Sequence, residues 1–173
     1  MSFAARRAAS AAVTVLLLTA CGAAASSHAA ITPSSRPAVT GRTLDGKAVT
    51  LASWRGHPVV LVFWGAWCGP CTDEQPRLNA AYARWTPHGV AFLGVDMRDD
   101  LGAALTFQRQ LHVPYASVAD PDVTIAAGYD IPAAPALAFI DAQGRVGDRV
   151  LGSLGVMSDA AFDQELSGLL RGA

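Results

Sequence analysis

The sequence is poor in charge, in cysteine and in long apolar runs. Only 16% of its residues are charged, and 13 Lys and Arg stand against 14 Asp and Glu. This balance argues against nucleic-acid binding, which needs a clustered basic surface. No apolar run reaches the roughly 18 residues of a transmembrane helix, which excludes a multi-pass membrane protein. Three cysteines are too few for a disulfide framework.

The N-terminus has the pattern of an export signal. Arg6 and Arg7 precede a short apolar run over residues 11–20, as a charged n-region precedes an h-region. The run ends in Leu-Thr-Ala-Cys at positions 18–21, which resembles the lipobox of bacterial lipoproteins. In those proteins the cysteine is lipidated and becomes the mature N-terminus. We therefore predict a signal peptide over residues 1–20 and a lipidated Cys21; ordinary secretion with cleavage further along is the alternative.

The stretch after the signal differs in composition from the rest of the chain. Residues 22–38 are mostly Ala, Ser, Thr, Pro and Gly, with few bulky apolar groups. Such a segment cannot bury enough surface to offset its ordering entropy. We predict that residues 21–38 are a lipidated cysteine followed by a flexible tether, and that residues 39–173 form one folded domain.

Strand-like and helix-like patterns alternate along this domain. An Asp-Gly pair at 45–46 predicts a β-hairpin within residues 39–51. Apolar, β-branched runs predict strands over 59–64, 89–96, 115–119, 136–140 and 145–151. Helices are predicted over 68–85 with a kink at Pro76, over 99–111 and 121–128, and after the cap Ser158. This order indicates an α/β domain with a central mixed sheet flanked by helices.

The chemistry is concentrated in Trp-Cys-Gly-Pro-Cys at positions 67–71, where a buried strand ends and a helix begins. A helix N-terminus offers unpaired N–H groups and the positive end of the macrodipole, and both favour a thiolate. The two-residue gap places Cys71 one turn below Cys68. We therefore predict an exposed Cys68 that attacks and a shielded Cys71 that resolves, as thiol–disulfide exchange requires. Trp67 provides apolar surface beside the sulfurs.

Two other functions of this cysteine pair are weaker. A zinc site needs four ligands, and no second Cys-x-x-Cys or His pair completes them, so no metal is predicted. A purely structural disulfide is disfavoured because its loop is too short to stabilise the fold appreciably.

The motif resembles that of thioredoxin, and its surroundings resemble the TlpA/ResA-like branch of membrane-tethered, extracytoplasmic thioredoxin-like proteins. The segments that carry the likeness are residues 61–76, 89–95 and 129–141. The resemblance extends from about residue 39 to the C-terminus. It implies a thioredoxin fold, here with an N-terminal β-hairpin extension.

The resemblance implies roles for individual residues. Cys68 matches the nucleophilic cysteine of the family and Cys71 the resolving one. Pro135 matches the cis-proline that faces the disulfide across the substrate groove. Pro132 is a rival for this position, but Pro135 directly precedes the predicted strand, as the family pattern requires. Ala134 would then offer its backbone to an extended substrate chain.

Glu74 matches an acidic residue beside the active site of several family members. A carboxylate there could shuttle a proton or raise the pKa of the resolving thiol, although a solvated helix position is the alternative. The sequence departs from the family at two places. Val62 stands where thioredoxins proper have a buried Asp, and Ala133 and Ala134 stand where relatives usually have Gly and a β-branched residue.

We predict an extracytoplasmic thiol–disulfide oxidoreductase, anchored by lipid to the outer face of the cytoplasmic membrane and acting as a monomer. No metal, flavin or nucleotide cofactor is expected. Its predicted partners are protein thiols and disulfides, together with a membrane electron donor or an oxidase.

The sequence constrains the direction of electron flow less than it constrains the type of reaction. The Cys-Gly-Pro-Cys motif resembles that of reducing thioredoxins, which favours reduction of protein disulfides, for example in cytochrome c maturation. An oxidant in the folding of secreted proteins is the first alternative. A peroxiredoxin-like peroxidase is disfavoured, because Leu61 and Gly65 replace the Pro and Thr of its Pro-x-x-x-Thr-x-x-Cys setting. A copper-binding module lacks a suitable ligand set.

Overall fold

A five-stranded mixed sheet is the centre of the computed structural model, which describes residues 39–171. The predicted signal peptide, Cys21 and the whole predicted tether lie outside the described residues. The strands are β1 (Thr40–Arg42), β2 (Ala48–Thr50), β3 (Val59–Trp64), β4 (Ala91–Met97), β5 (Ser117–Asp120), β6 (Ala136–Ile140) and β7 (Val146–Leu151). The helices are α1 (Gly69–Trp85), α2 (Leu101–Gln110), α3 (Thr124–Gly128) and α4 (Asp159–Arg171).

Strand β3 lies in the middle of the sheet and is buried along its whole length, as its continuous apolar run predicts. It pairs in parallel with β4, where Trp64 lies opposite Asp96, and antiparallel with β6. The complete order is β5-β4-β3-β6-β7. The predicted mixed sheet flanked by helices is therefore confirmed.

Each face of the sheet has its own hydrophobic core, because successive side chains of β3 point to opposite faces. The first core contains Val60, Val62 and Trp64 together with side chains of α1, α2 and α4, and it includes Cys68 and Cys71. The second core contains Val59, Leu61 and Phe63 together with residues of the N-terminal hairpin region and α3. The cysteine pair thus belongs to the face that three helices cover.

The predicted N-terminal hairpin is confirmed as β1 and β2. The chain reverses near Gly46, whose φ of 83° is one that glycine adopts without steric cost. Thr43 then forms an isolated bridge to Val118 of β5, and the Leu44 amide donates to the Ser117 carbonyl at 2.9 Å. The hairpin therefore adjoins the outer strand of the sheet.

The short helix before β6 differs from its prediction in where it begins. The short helix predicted from residue 121 begins only at Thr124, because the Asp120 carboxylate accepts the amides of Ile125 and Ala126 and Val123 adopts a left-handed backbone. Pro76 lies inside α1 without ending it.

None of the helices described over residues 39–171 has the length and apolar character needed to cross a membrane.

Candidate active site

Cys68 and Cys71 form a disulfide at the N-terminus of α1, with their Cα atoms 5.2 Å apart. Cys68 is the N-cap of the helix, and its Sγ accepts the Cys71 amide at 3.2 Å. Pro70 stands in the first turn, where a missing N–H is tolerated. The same donor would stabilise a negative charge on Cys68 Sγ in the reduced form, as the position of the motif predicts.

Both cysteines are buried in this disulfide form, Cys68 with 3% and Cys71 with 2% of its surface exposed. The expectation that Cys68 is exposed while Cys71 is shielded is therefore wrong for the oxidised protein. The physical reason is that the linked sulfurs lie in the same core cluster as Trp64, with Ala66 and Ala134 packed against that cluster. The division of roles between the two cysteines stays a prediction.

Trp67 is the exposed apolar side chain next to the disulfide, with 51% of its surface accessible. Its indole is fixed, because Nε1 donates to the carbonyl of Met97 at 2.9 Å. The fixed ring also explains Gly65, since a Cβ on that residue would stand 2.5 Å from Trp67 Nε1. A rigid aromatic surface of this kind suits contact with another chain. Substrate binding by Trp67 stays a prediction.

The peptide bond between Ala134 and Pro135 is cis, as the resemblance implies, and Pro132 carries no such bond. Pro135 is buried directly before β6, and its carbonyl accepts the Gly152 amide at 3.0 Å. Ala134 is half-buried and packs against both cores. The role of these two residues in binding a substrate chain stays a prediction.

Glu74 is a buried residue of α1, with 8% of its surface exposed, so the alternative of a solvated helix carboxylate is wrong. Its Oε2 accepts two hydrogen bonds, from Ser153 Oγ at 3.0 Å and from the Leu154 amide at 2.8 Å. Burial raises the pKa of Glu74, while these two hydrogen bonds and Arg77 oppose the rise. Glu74 thus links α1 to the segment between β7 and α4.

Arg77 strengthens the same link one turn further along α1. Its Nη1 donates to the Leu154 carbonyl at 2.6 Å, and its guanidinium pairs with Asp159 at the start of α4. The guanidinium also lies 5.6 Å from the ring centroid of Phe162, a cation–π contact. The segment that covers Glu74 is therefore held by several independent contacts.

A buried acid near the motif was missed by sequence reasoning. Asp96 is the last residue but one of β4 and has 3% of its surface exposed. Burial and the neighbouring carboxyl of Asp99 raise the pKa of Asp96 to about 8. Asp99 in turn accepts the amide of Ala66, two residues before Cys68. The available signal is an acidic residue at the end of the apolar run 89–96, a run that predicts only a buried strand.

No group of three or more His, Cys, Asp or Glu side chains within residues 39–171 is placed to hold a metal ion. The open groove beside the cysteine motif is lined by apolar and neutral side chains. A groove of about 370 Å³ runs from Ala66 and Thr72 along α2, past Ala103, Thr106 and Phe107.

A cysteine pair at the tip of a helix, with a cis-proline before the adjoining antiparallel strand, defines a dithiol–disulfide site on a thioredoxin-like sheet. The sequence profile of the AhpC/TSA family matches residues 34–149, which is more than half of the chain. The chain belongs to the AhpC/TSA family, and the thioredoxin fold expected from its sequence is confirmed.

Relatives with established names support the same class. The thiol-disulfide oxidoreductase ResA of Bacillus cereus is 30% identical over 109 residues, 63% of this chain and 63% of ResA. The thiol:disulfide interchange protein DsbE of Pseudomonas fluorescens is 32% identical over 133 residues, 76% of this chain and 71% of DsbE. The match to ResA thus spans less than two thirds of that protein.

One similar solved structure is a secreted Mycobacterium tuberculosis disulfide oxidoreductase, described as homologous to Escherichia coli DsbE. It is 33% identical, with a TM-score of 0.64, and the match covers 78% of this chain and 96% of that chain. The predicted resemblance to the ResA-like branch is therefore confirmed.

Proposed function

We propose that this protein is a thiol–disulfide oxidoreductase whose Cys68–Cys71 pair alternates between disulfide and dithiol. The observation that carries the proposal is the disulfide at the N-terminus of α1, with the Cys71 amide directed at Cys68 Sγ. A thiolate at Cys68 gains from that donor and from the helix dipole, so it is both populated and a good leaving group. The names of the relatives point to the same chemistry.

In the reducing direction, the Cys68 thiolate attacks one sulfur of a substrate disulfide. A mixed disulfide forms between Cys68 and the substrate, and the other substrate sulfur leaves as a thiolate. Cys71, after losing its proton, then attacks Cys68 Sγ and releases the second substrate sulfur. The protein ends with the Cys68–Cys71 disulfide, and the substrate has gained two electrons. Of the two protons on the substrate thiols, one comes from Cys71 and the other from solvent, because Cys68 reacts as a thiolate. A membrane electron donor of dithiol type would restore the reduced pair.

We favour reduction of protein disulfides, for example in cytochrome c maturation, over oxidation. The support is the Cys-Gly-Pro-Cys motif, which is shared with thioredoxin at about −270 mV, far from the strong oxidants near −120 mV. Equilibration with glutathione decides the direction. A midpoint potential near that of thioredoxin supports a reductase, and one near that of the oxidants supports the folding role.

The proposed location is the outer face of the cytoplasmic membrane, with Cys21 as the lipidated residue. The support is the signal-like sequence of residues 1–20, together with the secreted relative from Mycobacterium tuberculosis. At that location a substrate chain would lie across Trp67 and the backbone of Ala134, beside Pro135. The exposed indole of Trp67 and the half-buried Ala134 are consistent with this placement.

A peroxidase is the second candidate, because the matching family is the AhpC/TSA family. The surroundings of Cys68 oppose it. A Thr at the position of Gly65 would bring its Cβ to 2.5 Å from Trp67 Nε1. Consumption of hydrogen peroxide by the reduced protein at a rate comparable with disulfide exchange would favour the peroxidase.

Trapping of a mixed disulfide tests the proposed roles of the two cysteines. Cys71→Ala should accumulate a covalent complex with a protein substrate, because Cys68 can attack but the complex cannot be resolved internally. Cys68→Ala, the matched control, should trap nothing. Non-reducing electrophoresis of both variants after incubation with a disulfide-containing protein measures the complex. Equal trapping by both variants would contradict the assignment of Cys68 as nucleophile.

A further inference from the structure

The end of β4 places a buried carboxyl on the same side of the sheet as the cysteine pair. Asp96 lies opposite Trp64 in the parallel pairing of β3 and β4, and Trp64 belongs to the core cluster that contains Cys68 and Cys71. Asp96 Oδ1 is buried and has no hydrogen-bond donor. A buried oxygen without a partner carries a desolvation cost, so an ionised Asp96 is disfavoured at this position.

Asp99 connects this carboxyl to the loop that leads to Cys68. Its Oδ2 accepts the amide of Ala66, and the Cys68 amide closes the same loop by donating to the Gly65 carbonyl at 3.0 Å. The loop is also held at its other side, where Trp67 Nε1 donates to the Met97 carbonyl. The end of β4 and the chain that follows it therefore hold Ala66 and Trp67, through Asp99 and the Met97 carbonyl.

Burial raises the pKa of Asp96 most, and the charge of the Asp99 carboxyl and a hydrogen bond between the two groups raise it further. Two carboxylates cannot share a hydrogen bond unless one of them carries a proton. Asp96 is the more buried of the two and holds that proton at neutral pH, since its pKa is about 8. With the proton present, Asp96 becomes a donor to Asp99.

The other groups around Asp96 leave this pair as the main titrating unit. Asp100 adds a negative charge that raises the pKa of Asp96 further, while its own carboxylate caps α2 by accepting the Ala103 amide. The register partners of Asp96 are Trp64 in β3 and Ala119 in β5, and neither is ionisable. Helix α2 contributes Ala104 and Phe107 to the core on this face. The Asp120 carboxylate is directed to the start of α3.

We propose that Asp96 is a positioning residue for the reaction of Cys68: its protonated carboxyl donates a hydrogen bond to Asp99, which holds the Ala66 amide and hence the loop that carries Cys68. The proposal rests on the proposed function of the cysteine pair. When Asp96 loses its proton at alkaline pH, two carboxylates face each other. Their repulsion displaces Asp99 and weakens its hydrogen bond from the Ala66 amide. The geometry of the loop, and with it the reactivity of Cys68, then depends on the protonation of Asp96 as well as on that of the cysteines.

The oxidised protein is the appropriate sample for the first test, because its cysteines are joined and do not titrate. Carbon-13 NMR of the aspartate carboxyls follows Asp96 directly, and nitrogen-15 spectra follow the Ala66 amide and the Trp67 indole. We expect Asp96 to titrate at about pH 8 and the Ala66 amide to shift with the same midpoint. An Asp96 that titrates in the ordinary range of aspartate, or an Ala66 amide that ignores its titration, would overturn the proposal.

Three variants separate the proton from the hydrogen bond. Asp96→Asn keeps a donor toward Asp99 but cannot titrate, so the Ala66 signal should lose its pH dependence and stay at the low-pH position. Asp96→Leu removes the donor and should displace the Ala66 signal at every pH. Asp100→Asn is the matched control, because Asn caps a helix as well as Asp does. It should keep the titration at a somewhat lower midpoint. Circular dichroism confirms that each variant is folded.

The functional readout is the rate at which reduced protein reacts with oxidised glutathione between pH 6 and 9.5. Besides the steps from the two thiols, wild type should show a step at the midpoint that NMR gives for Asp96, and Asp96→Asn should lose only that step. Asp96→Leu should react roughly tenfold more slowly at neutral pH, since a displaced nucleophile is inefficient. A step at that midpoint that persists in Asp96→Asn would overturn the proposal. If Cys71→Ala traps no mixed disulfide while Asp96 and the Ala66 amide still titrate together, the proposed function is wrong but the link between Asp96 and the loop stands.

Discussion

Glu74 forms a structural contact, and its charge stands where it could also influence Cys71. It lies one turn after Cys71 on α1, yet its Oε2 is occupied by Ser153 and Leu154. Burial raises its pKa, so the folded protein binds this proton more tightly than the unfolded chain does. The charge on Glu74 is therefore present only above that raised pKa, and any effect on Cys71 is confined to the same range.

Replacing Glu74 by Gln tests whether its charge acts on Cys71. The amide can still accept the Leu154 amide, so the fold should persist, while the negative charge near Cys71 is lost. We expect the higher of the two thiol pKa values in the reduced protein to fall, and the alkaline limb of the exchange rate to move to lower pH. Titration of the thiols by ultraviolet absorbance measures the first effect, and stopped-flow exchange measures the second.

Asp73→Asn is the control for this prediction. Asp73 is the preceding residue of α1 and is exposed, so its replacement removes the same charge without disturbing a buried contact. Its pH profile should match that of the wild type. A Glu74→Gln profile that also matches the wild type would mean that Glu74 only anchors the segment around Leu154.

The residues of the site differ in how far the sequence could reveal them. Cys68, Cys71 and Pro135 follow from motifs, because their positions along the chain are sufficient to recognise them. Asp96 and Asp99 do not, because their importance depends on β4 lying beside β3 and on the return of the chain to the Ala66 amide. Long-range contacts of this kind leave no local pattern in one sequence.

At the scale of elements, α4 is one of the three helices that cover the face holding the disulfide. Its apolar side Phe162, Leu166 and Leu169 is buried in the same core cluster as the cysteines. Phe162 lies 6.2 Å from Phe139 of β6, ring centroid to ring centroid. The helix therefore stabilises the sheet beneath the active site without contributing a reactive group to it.

Leu166→Ala tests this structural role. Leu166 is fully buried, so its truncation should lower the free energy of unfolding by about 2–5 kcal/mol through lost burial and a residual cavity. Leu170→Ala on the same helix should cost less, because Leu170 is only half-buried. Urea denaturation of the oxidised proteins measures both values. A loss below about 0.5 kcal/mol for Leu166→Ala would contradict the assignment of α4 to this core.

The elements that the sequence predicted best are those defined by their own composition. β3 has the bounds that its apolar run indicates, and α1 starts at the motif, because six buried residues and a helix cap are local features. The start of α3 was missed because it depends on the Asp120 side chain folding back onto the amides of Ile125 and Ala126. The burial of Cys68 was missed because it depends on packing that no local pattern reports.

At the scale of the whole chain, the reactive pair lies on the face with the larger helical cover, while the second core contains no cysteine. The only other cysteine in the sequence is Cys21, far from the pair in sequence and outside the residues that the structure describes. The three cysteines are therefore expected to do two unrelated things. Two are proposed to exchange electrons, and one is expected to carry lipid.

Cys21→Ala tests the proposed anchor in an intact cell. Two acyl chains hold a protein stably on a bilayer, whereas one chain binds only marginally. The wild-type protein should therefore sediment with membranes, and Cys21→Ala should be released or mislocalised. Cys68→Ala is the matched control, since it removes a cysteine without changing the signal, and it should stay with the membranes. Immunoblots of the fractions report the distribution. If Cys21→Ala still sediments fully with membranes, the protein is held there by something other than lipid on Cys21.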